Sequence, residues 1–250
     1  MKIKGAMTLG VAASAMIAAA ASHASAATTC TSDGYLCYSA ADPQWSVTSL
    51  ATVSLGAASG PDGAVTTGYN VETYGPADNQ VAVTFYGNAG VYQGSTVTAS
   101  APTTSSGVDA NKYFAVPTDG GNLDANFANT EQYVGFLWGN VQAEQAVTAY
   151  DGTGLLLDTI YGSDILAAAG GNAGFNGSYF VNIEGGQAAN GAGIGEVYFQ
   201  TVTNVSFSVD QLTYSEAAPV PLPALAGTLP GMVMLGLGVF RRRTAARSPG

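Results

Sequence analysis

The chain has 250 residues and is acidic: 17 aspartates and glutamates stand against seven lysines and arginines, for a formal net charge of −10 at pH 7. Six of the seven basic residues lie near the two ends, so the central part holds Lys112 alone with all 17 acids, a net charge near −16. A surface of that sign repels phosphate backbones, which excludes nucleic acid as a partner. The single histidine, His23, lies among residues 1–26. If those residues are removed from the mature protein, the rest of the chain has no histidine, which excludes Ser-His and Cys-His catalysis and His-ligated zinc.

Residues 1–26 have the pattern of a secretory signal peptide. Lys2 and Lys4 precede an Ala-rich apolar core, and Ala24-Ser25-Ala26 forms an A-x-A cleavage site. The pattern predicts cleavage between Ala26 and Ala27 and export of the remainder through the inner membrane. A first transmembrane helix is the alternative, and the short, Ala-rich core disfavours it.

Cys30 and Cys37 are the only cysteines of the chain, and both closely follow the expected cleavage site. Two neighbouring cysteines in an oxidising compartment most often form a disulfide. Asp33-Gly34 between them is a tight-turn signal, so we expect a small hairpin or stapled loop. A redox or metal role is the alternative, and it needs a different spacing or further ligands.

About ten strands are predicted between residues 27 and 217. Residues 81–85 alternate, with Val81, Val83 and Phe85 on one face, and residues 133–138 are the most apolar short run, which predicts a central strand. Asp151-Gly152-Thr153-Gly154 separates two β-rich runs and predicts a hairpin.

Three further features are predicted from local patterns. Residues 117–130 are rich in Asp, Asn and Gly and predict a long surface loop. Ser163 is expected to cap a brief helix over residues 164–169, which Gly170-Gly171 ends. The alternation after Val209 changes phase, which predicts a β-bulge near Asp210.

These elements predict an all-β fold. We expect an antiparallel two-sheet β-sandwich of jelly-roll type, with one short helix, as a single extracellular domain over residues 27–217.

The acidic residues offer one candidate cofactor site, for calcium. Calcium takes six to eight oxygen ligands, and four carboxylates lie within a short stretch of the chain. These candidates are Asp151, Asp158, Asp164 and Glu184. Solvated turn residues are the favoured alternative, and the same choice applies to Asp119, Asp124 and Glu131. No other cofactor is expected.

Two further activities remain open. A pair of carboxylates about 5–9 Å apart would allow glycoside hydrolysis, but no pair is marked by the sequence. Exposed aromatic side chains on a sheet face would bind sugar rings by stacking. Core packing accounts for the aromatic residues of the apolar runs, and leaves Tyr69, Tyr74, Tyr86 and Tyr92 open.

The C-terminal segment, residues 218–250, has three parts. A proline motif, Val220, Pro221, Leu222 and Pro223, opens it. Residues 222–240 carry no charge and would form a helix of about 28 Å, close to the hydrocarbon thickness of a bilayer. Three arginines follow and favour a cytoplasmic C-terminus. They are Arg241, Arg242 and Arg243. A plain tail anchor is one reading of this transmembrane helix.

The order of proline motif, apolar helix and arginine cluster resembles the PEP-CTERM sorting signal, in its V-P-L-P variant. The resemblance implies recognition by an exosortase, cleavage near the proline motif, and release to the surface or extracellular polymer matrix of a Gram-negative cell. Residues 133–140 and 207–214 look like the ectodomains of exosortase-dependent surface proteins, which implies a β-sandwich without known catalysis.

The sequence therefore favours a non-enzymatic exported surface or matrix protein, membrane-anchored as a precursor. A carbohydrate-binding module, with extracellular polysaccharide as partner and calcium as a potential aid, is the first alternative. A glycoside hydrolase is a remote one.

Overall fold

The computed structural model describes residues 28–30, 36–40, 44, 47–57, 61–171, 174, 176–185, 193–201 and 205–219. The predicted signal peptide, the proline motif, the transmembrane helix and the arginine cluster lie outside the described residues. Within the described residues, no helix is long and apolar enough to cross a membrane.

The described chain is mostly antiparallel β-structure with one short helix, α1, at Gly162–Ala168. The first of its two large sheets has nine strands. Eight of them run in the order β1 (Thr29–Cys30), β2 (Leu36–Ala40), β15 (Tyr179–Gly185), β12 (Tyr133–Gly139), β17 (Phe207–Ser215), β10 (Lys112–Val116), β7 (Gly90–Gln93) and β4 (Gly63–Thr67), and the short β3 (Ala51–Thr52) also pairs with β17.

The second large sheet has six strands among the described residues. Its order is β14 (Leu156–Tyr161), β13 (Gln145–Asp151), β16 (Ile194–Thr201), β11 (Gly121–Glu131), β6 (Val81–Gly87) and β5 (Asn70–Tyr74). A small hairpin of β8 (Thr103–Thr104) and β9 (Gly107–Val108) lies apart from both.

Aromatic rings join the inner faces of the two large sheets. Phe136 of the nine-stranded sheet meets Phe199 of the six-stranded sheet edge-on, with ring centroids 5.2 Å apart. Phe127 and Tyr214 make a second contact across the sheets at 5.1 Å. Because alternate residues of a strand point inward, apolar residues such as Val81, Val83 and Phe85 enter this common core. A second, smaller cluster of buried residues consists of Tyr92, Ala99, Ala101, Tyr113 and Ala115.

One polar side chain lies inside this core and is fully hydrogen-bonded. Gln145 is completely buried. Its Oε1 accepts hydrogen bonds from Trp138 Nε1 and the Gln142 backbone N–H, both at 2.8 Å. Its Nε2 donates to the carbonyls of Asn140 at 3.1 Å and Ser206 at 2.6 Å. One amide thus satisfies polar groups from three neighbouring segments.

Several local predictions are confirmed. Cys30 and Cys37 form a disulfide and lie opposite one another in the β1–β2 hairpin. β13 and β14 form the predicted hairpin around Gly152. The bulge in β17 is present, with Gln211 at a φ of 52° and a register shift against β12.

Two local predictions are wrong. Residues 121–131 form the strand β11 rather than a loop, because Leu123, Ala125 and Phe127 alternate into the core between outward polar residues. Ser163 does not cap α1, which is preceded by Tyr161, whose N–H donates to the Asp164 carboxylate at 2.9 Å. The helix does end before two glycines of positive φ.

We expect Gln145→Leu to lower the free energy of unfolding by about 2–4 kcal/mol, because two N–H groups and two carbonyls lose their partner inside the core. Urea denaturation followed by tryptophan fluorescence measures it. Gln80→Leu is the control, since Gln80 is exposed. Equal stability of the two variants would contradict this role.

Candidate functional site

The outer face of the six-stranded sheet collects tyrosines and carboxyl groups. On β11, Asp124 lies between Thr84 of β6 and Tyr198 of β16, and Asn126 lies beside Glu196. The alternation that sends Leu123 and Val197 inward places these side chains outside. We call this surface the tyrosine face; its main members are Tyr69, Tyr86, Tyr150, Tyr161, Tyr198, Asp124 and Glu196.

The tyrosine face presents aromatic rings to solvent. Tyr69 is 76% exposed, Tyr161 is 49% exposed and Tyr86 is 38% exposed. The rings of Tyr69 and Tyr86 are 5.7 Å apart and tilted by 59°. Of the four tyrosines that the sequence left open, these two are on the surface. By contrast, Tyr92 is buried, and Tyr74 packs edge-on against Phe114.

A carboxyl pair lies among these rings. Asp124 is half-buried and hydrogen-bonds to Glu196, and the Asn126 amide also reaches it. Burial, followed by the charge of Glu196, raises the pKa of Asp124 to about 6. The second oxygen, Asp124 Oδ1, is buried without a hydrogen-bond partner among the described residues. Asp124 therefore holds a proton in mildly acidic solution.

The hydroxyls of Tyr198 and Tyr86, which lie beside the pair, remain protonated. Burial raises the pKa of Tyr198, and the charge of Asp124 adds to it. Tyr86 is shifted in the same direction by desolvation and by the same carboxyl group. The face thus offers hydroxyl donors, amides and carboxylate acceptors at neutral pH.

A polar cleft of about 260 Å³ opens at one end of the tyrosine face. Asn126, Asn129, Asp151 and Glu196 contribute side chains to it. Its floor requires glycine at 195, because a Cβ there would lie 2.6 Å from the Cα of Gly152. The cleft extends the polar part of the face beyond the carboxyl pair.

The four calcium candidates are distributed over several elements. Asp151 holds the β13–β14 turn, because its Oδ1 accepts hydrogen bonds from Thr153 and from the Leu155 N–H. Asp158 and Asp164 both raise the pKa of Tyr38, after burial, and so lie near that phenol. Glu184 belongs to β15 in the other large sheet. In the described part of the chain, no three His, Cys, Asp or Glu side chains come together in a group that could hold a metal ion, so calcium at these positions gains no support.

A second carboxyl pair is enclosed beneath the segment that joins β7 to β10. Asp109 and Asp210 are 6% and 7% exposed and hydrogen-bond to each other. Burial and the neighbouring Asp109 raise the pKa of Asp210 to about 8. Asp109 also accepts a hydrogen bond from the Asn111 N–H at 2.8 Å. This pair closes a loop over the sheet and has no access for a ligand.

Sequence reasoning did not find either pair. The partners are far apart in the chain and meet only through strand pairing and loop placement. Composition indicated many acids and did not indicate which of them would be buried together.

No protein family, curated protein or solved structure matches the chain.

We expect the Asp109–Asp210 pair to make stability depend on pH. The pKa of Asp210 is higher in the folded than in the unfolded chain, so its contribution is fully present below about pH 4 and is lost as the pH rises through about 8. Asp210→Asn removes the ionisable group and should raise the free energy of unfolding near pH 8.5 by about 1–3 kcal/mol.

Urea denaturation from pH 4 to pH 9 tests this expectation. The control is Glu144→Gln, an exposed acid that should leave the pH profile unchanged. A profile of Asp210→Asn that is parallel to that of the unsubstituted protein would exclude the pair as its source.

Proposed function

We propose that this chain is a non-enzymatic, exported protein of the cell surface or extracellular polymer matrix, and that its tyrosine face binds polysaccharide. The architecture we propose is a jelly-roll-like β-sandwich. The observation that carries the proposal is the set of solvent-exposed tyrosines next to the hydrogen-bonded Asp124–Glu196 pair.

The chemistry of the face suits sugar rings. The apolar C–H side of a sugar packs on an aromatic ring, while its hydroxyls exchange hydrogen bonds with phenols, amides and carboxylates. Tyrosine supplies contact area with little loss of side-chain entropy. Strands hold the positions of Tyr86, Tyr150 and Tyr198, so little order has to be gained on binding. Six strands at a spacing of about 4.8 Å make a surface about 24 Å wide.

The negative charge of the tyrosine face limits which polysaccharides could bind there. Asp124, whose pKa is raised to about 6, adds negative charge to the face at neutral pH, and the Glu196 carboxyl group lies beside it. Lys112, the one basic residue of the central part, lies on β10 of the other sheet. A polymer of uronic acids would be repelled, whereas a neutral polysaccharide would not.

The carboxyl pair argues against a glycoside hydrolase at this place. Retaining and inverting enzymes separate their two carboxyl groups by about 5 Å or more, which leaves room for the reacting carbon or for a water. Asp124 and Glu196 hydrogen-bond to each other directly. We therefore propose that they hold sugar hydroxyls rather than cleave a glycosidic bond.

Export and sorting complete the proposal. Residues 1–26 direct export, and the proline motif, residues 222–240 and the arginine cluster direct sorting by an exosortase-type enzyme. The precursor is anchored by its C-terminal helix before processing. The Cys30–Cys37 disulfide supports this proposal, since such bonds persist in oxidising compartments.

We expect Tyr86→Ala to weaken binding of a soluble neutral glucan about tenfold, a loss of about 1.4 kcal/mol, because it removes an exposed stacking surface. Isothermal titration calorimetry measures it, with alginate as the acidic polymer that should not bind. Val108→Ala is the control, since Val108 is exposed on β9 outside the face. Glucan binding that is unchanged by Tyr86→Ala, or absent from the unsubstituted protein, would refute the proposal for this face.

Sorting is tested by intact mass in a Gram-negative host that carries an exosortase. The released protein should begin at Ala27 and end near Pro223. Replacing Arg241, Arg242 and Arg243 by serine should leave an unprocessed, membrane-bound species, while Arg247→Ser, outside the cluster, should be processed normally. Recovery of mature protein that retains residues 241–250 would identify a plain tail anchor.

A further inference from the structure

Glu131 is a buried acid at the point where the chain leaves one large sheet for the other. It is the last residue of β11 in the six-stranded sheet, and β12 of the nine-stranded sheet begins at Tyr133. Its side chain is completely buried. Neither carboxyl oxygen has a hydrogen-bond partner of normal geometry among the described residues.

Further oxygen atoms lie around this carboxyl group. The Asn79 side chain lies beside Glu131 and its amide N–H favours the charged carboxyl group, while Asn79 Oδ1 is buried without a partner among the described residues. Glu216, just after β17, is close enough for its charge to act on Glu131. Asn129 Nδ2 donates to Glu216 Oε1 at 2.7 Å and to the Asp78 carbonyl at 3.2 Å.

Three segments therefore converge at Glu131: the turn between β5 and β6, the end of β11 and the end of β17. Tyr214 fixes their arrangement, because its hydroxyl donates to the Asn79 carbonyl at 2.9 Å. The Phe127 ring packs against Tyr214 from the other sheet. The oxygens are thus held by packed side chains and strand ends rather than by a free loop.

The group lacks positive charge. The one basic residue in the described part of the chain, Lys112, pairs through its strand with Gln93 of β7 and not with these segments. A buried carboxylate that meets one amide donor and no cation is strongly unfavourable. Two acids and an unpartnered amide oxygen in one place call for a bound proton or a bound cation.

We propose that Glu131, Asn79 and Glu216 bind a calcium ion. All the available donors are oxygens, which suit hard cations, and the set mixes carboxylate and amide oxygens as calcium sites do. Glu131 can supply two oxygens, Asn79 one and Glu216 at least one, with water completing the shell of six to eight. Magnesium is less suited, since it keeps near-ideal octahedral geometry and gives up its own water reluctantly.

The site is separate from the four calcium candidates Asp151, Asp158, Asp164 and Glu184. It takes Glu131, which the sequence grouped with Asp119 and Asp124, and joins it to two other residues that lie far from it in the chain. Because only two carboxylates and few further ligands are available, we expect a calcium dissociation constant of about 10⁻⁴ to 10⁻³ M, the range of weak extracellular calcium sites. The proposal does not depend on polysaccharide binding.

The test uses the exported protein after removal of divalent ions with a chelator. Terbium is the probe, because Tyr214 lies near enough to Glu131 to feel its charge and so can sensitise terbium luminescence. We expect a saturable signal that calcium displaces, and a melting temperature that rises with calcium. Glu216→Gln, at an exposed position, should fold normally and weaken calcium binding at least tenfold.

Glu131→Gln should abolish the terbium signal, and Glu144→Gln, an exposed acid elsewhere, should leave it unchanged. If Glu131→Gln does not fold, Glu216→Gln decides the test alone. Absence of a saturable terbium or calcium response in the unsubstituted protein would overturn the proposal and identify Glu131 as a protonated buried acid. Binding by Glu216→Gln as tight as that of the unsubstituted protein would overturn it equally.

Discussion

Aromatic packing between the two large sheets is the constraint on which the rest of the structure depends. Phe136 and Phe207 of one sheet both meet Phe199 of the other edge-on, and Trp138 stacks on Phe207 at 4.5 Å. These four rings point from their strands, β12, β16 and β17, into the space between the two sheets. Apart from Gln145, which hydrogen-bonds inside the core, the polar groups discussed above lie on the outer faces or at the ends of the sheets. The tyrosine face lies on an outer face, and the cluster of Glu131, Asn79 and Glu216 lies at the ends of strands.

A shortage of positive charge shapes the polar regions. In most proteins a buried carboxylate meets an arginine or lysine. Here carboxyl groups meet each other, as Asp124 meets Glu196 and Asp109 meets Asp210. Burial and mutual repulsion then raise the pKa of one member, so the proton becomes the counter-ion. The same deficit leaves Glu131, with a pKa raised to about 7 by burial, in need of a proton or a cation.

Local features were predictable from the sequence, and long-range ones were not. The Asp151-Gly152 turn, the Cys30–Cys37 hairpin and the β17 bulge are each encoded within a few residues. The β11 strand was missed because its Asn and Asp content hid the inward alternation of Leu123, Ala125 and Phe127. The order of strands, and with it the meeting of Asp124 and Glu196, depends on pairing between distant segments, which no local pattern specifies.

The position of β17 has a mechanical consequence. It is the last described strand, and it lies inside the nine-stranded sheet, with β12 on one side and β10 and β3 on the other. Force applied through the segment that follows β17 would load both ladders at once, in shear rather than strand by strand from an edge. A matrix protein tethered through that segment would resist flow and drag far better than one whose last strand lay at the rim of its sheet.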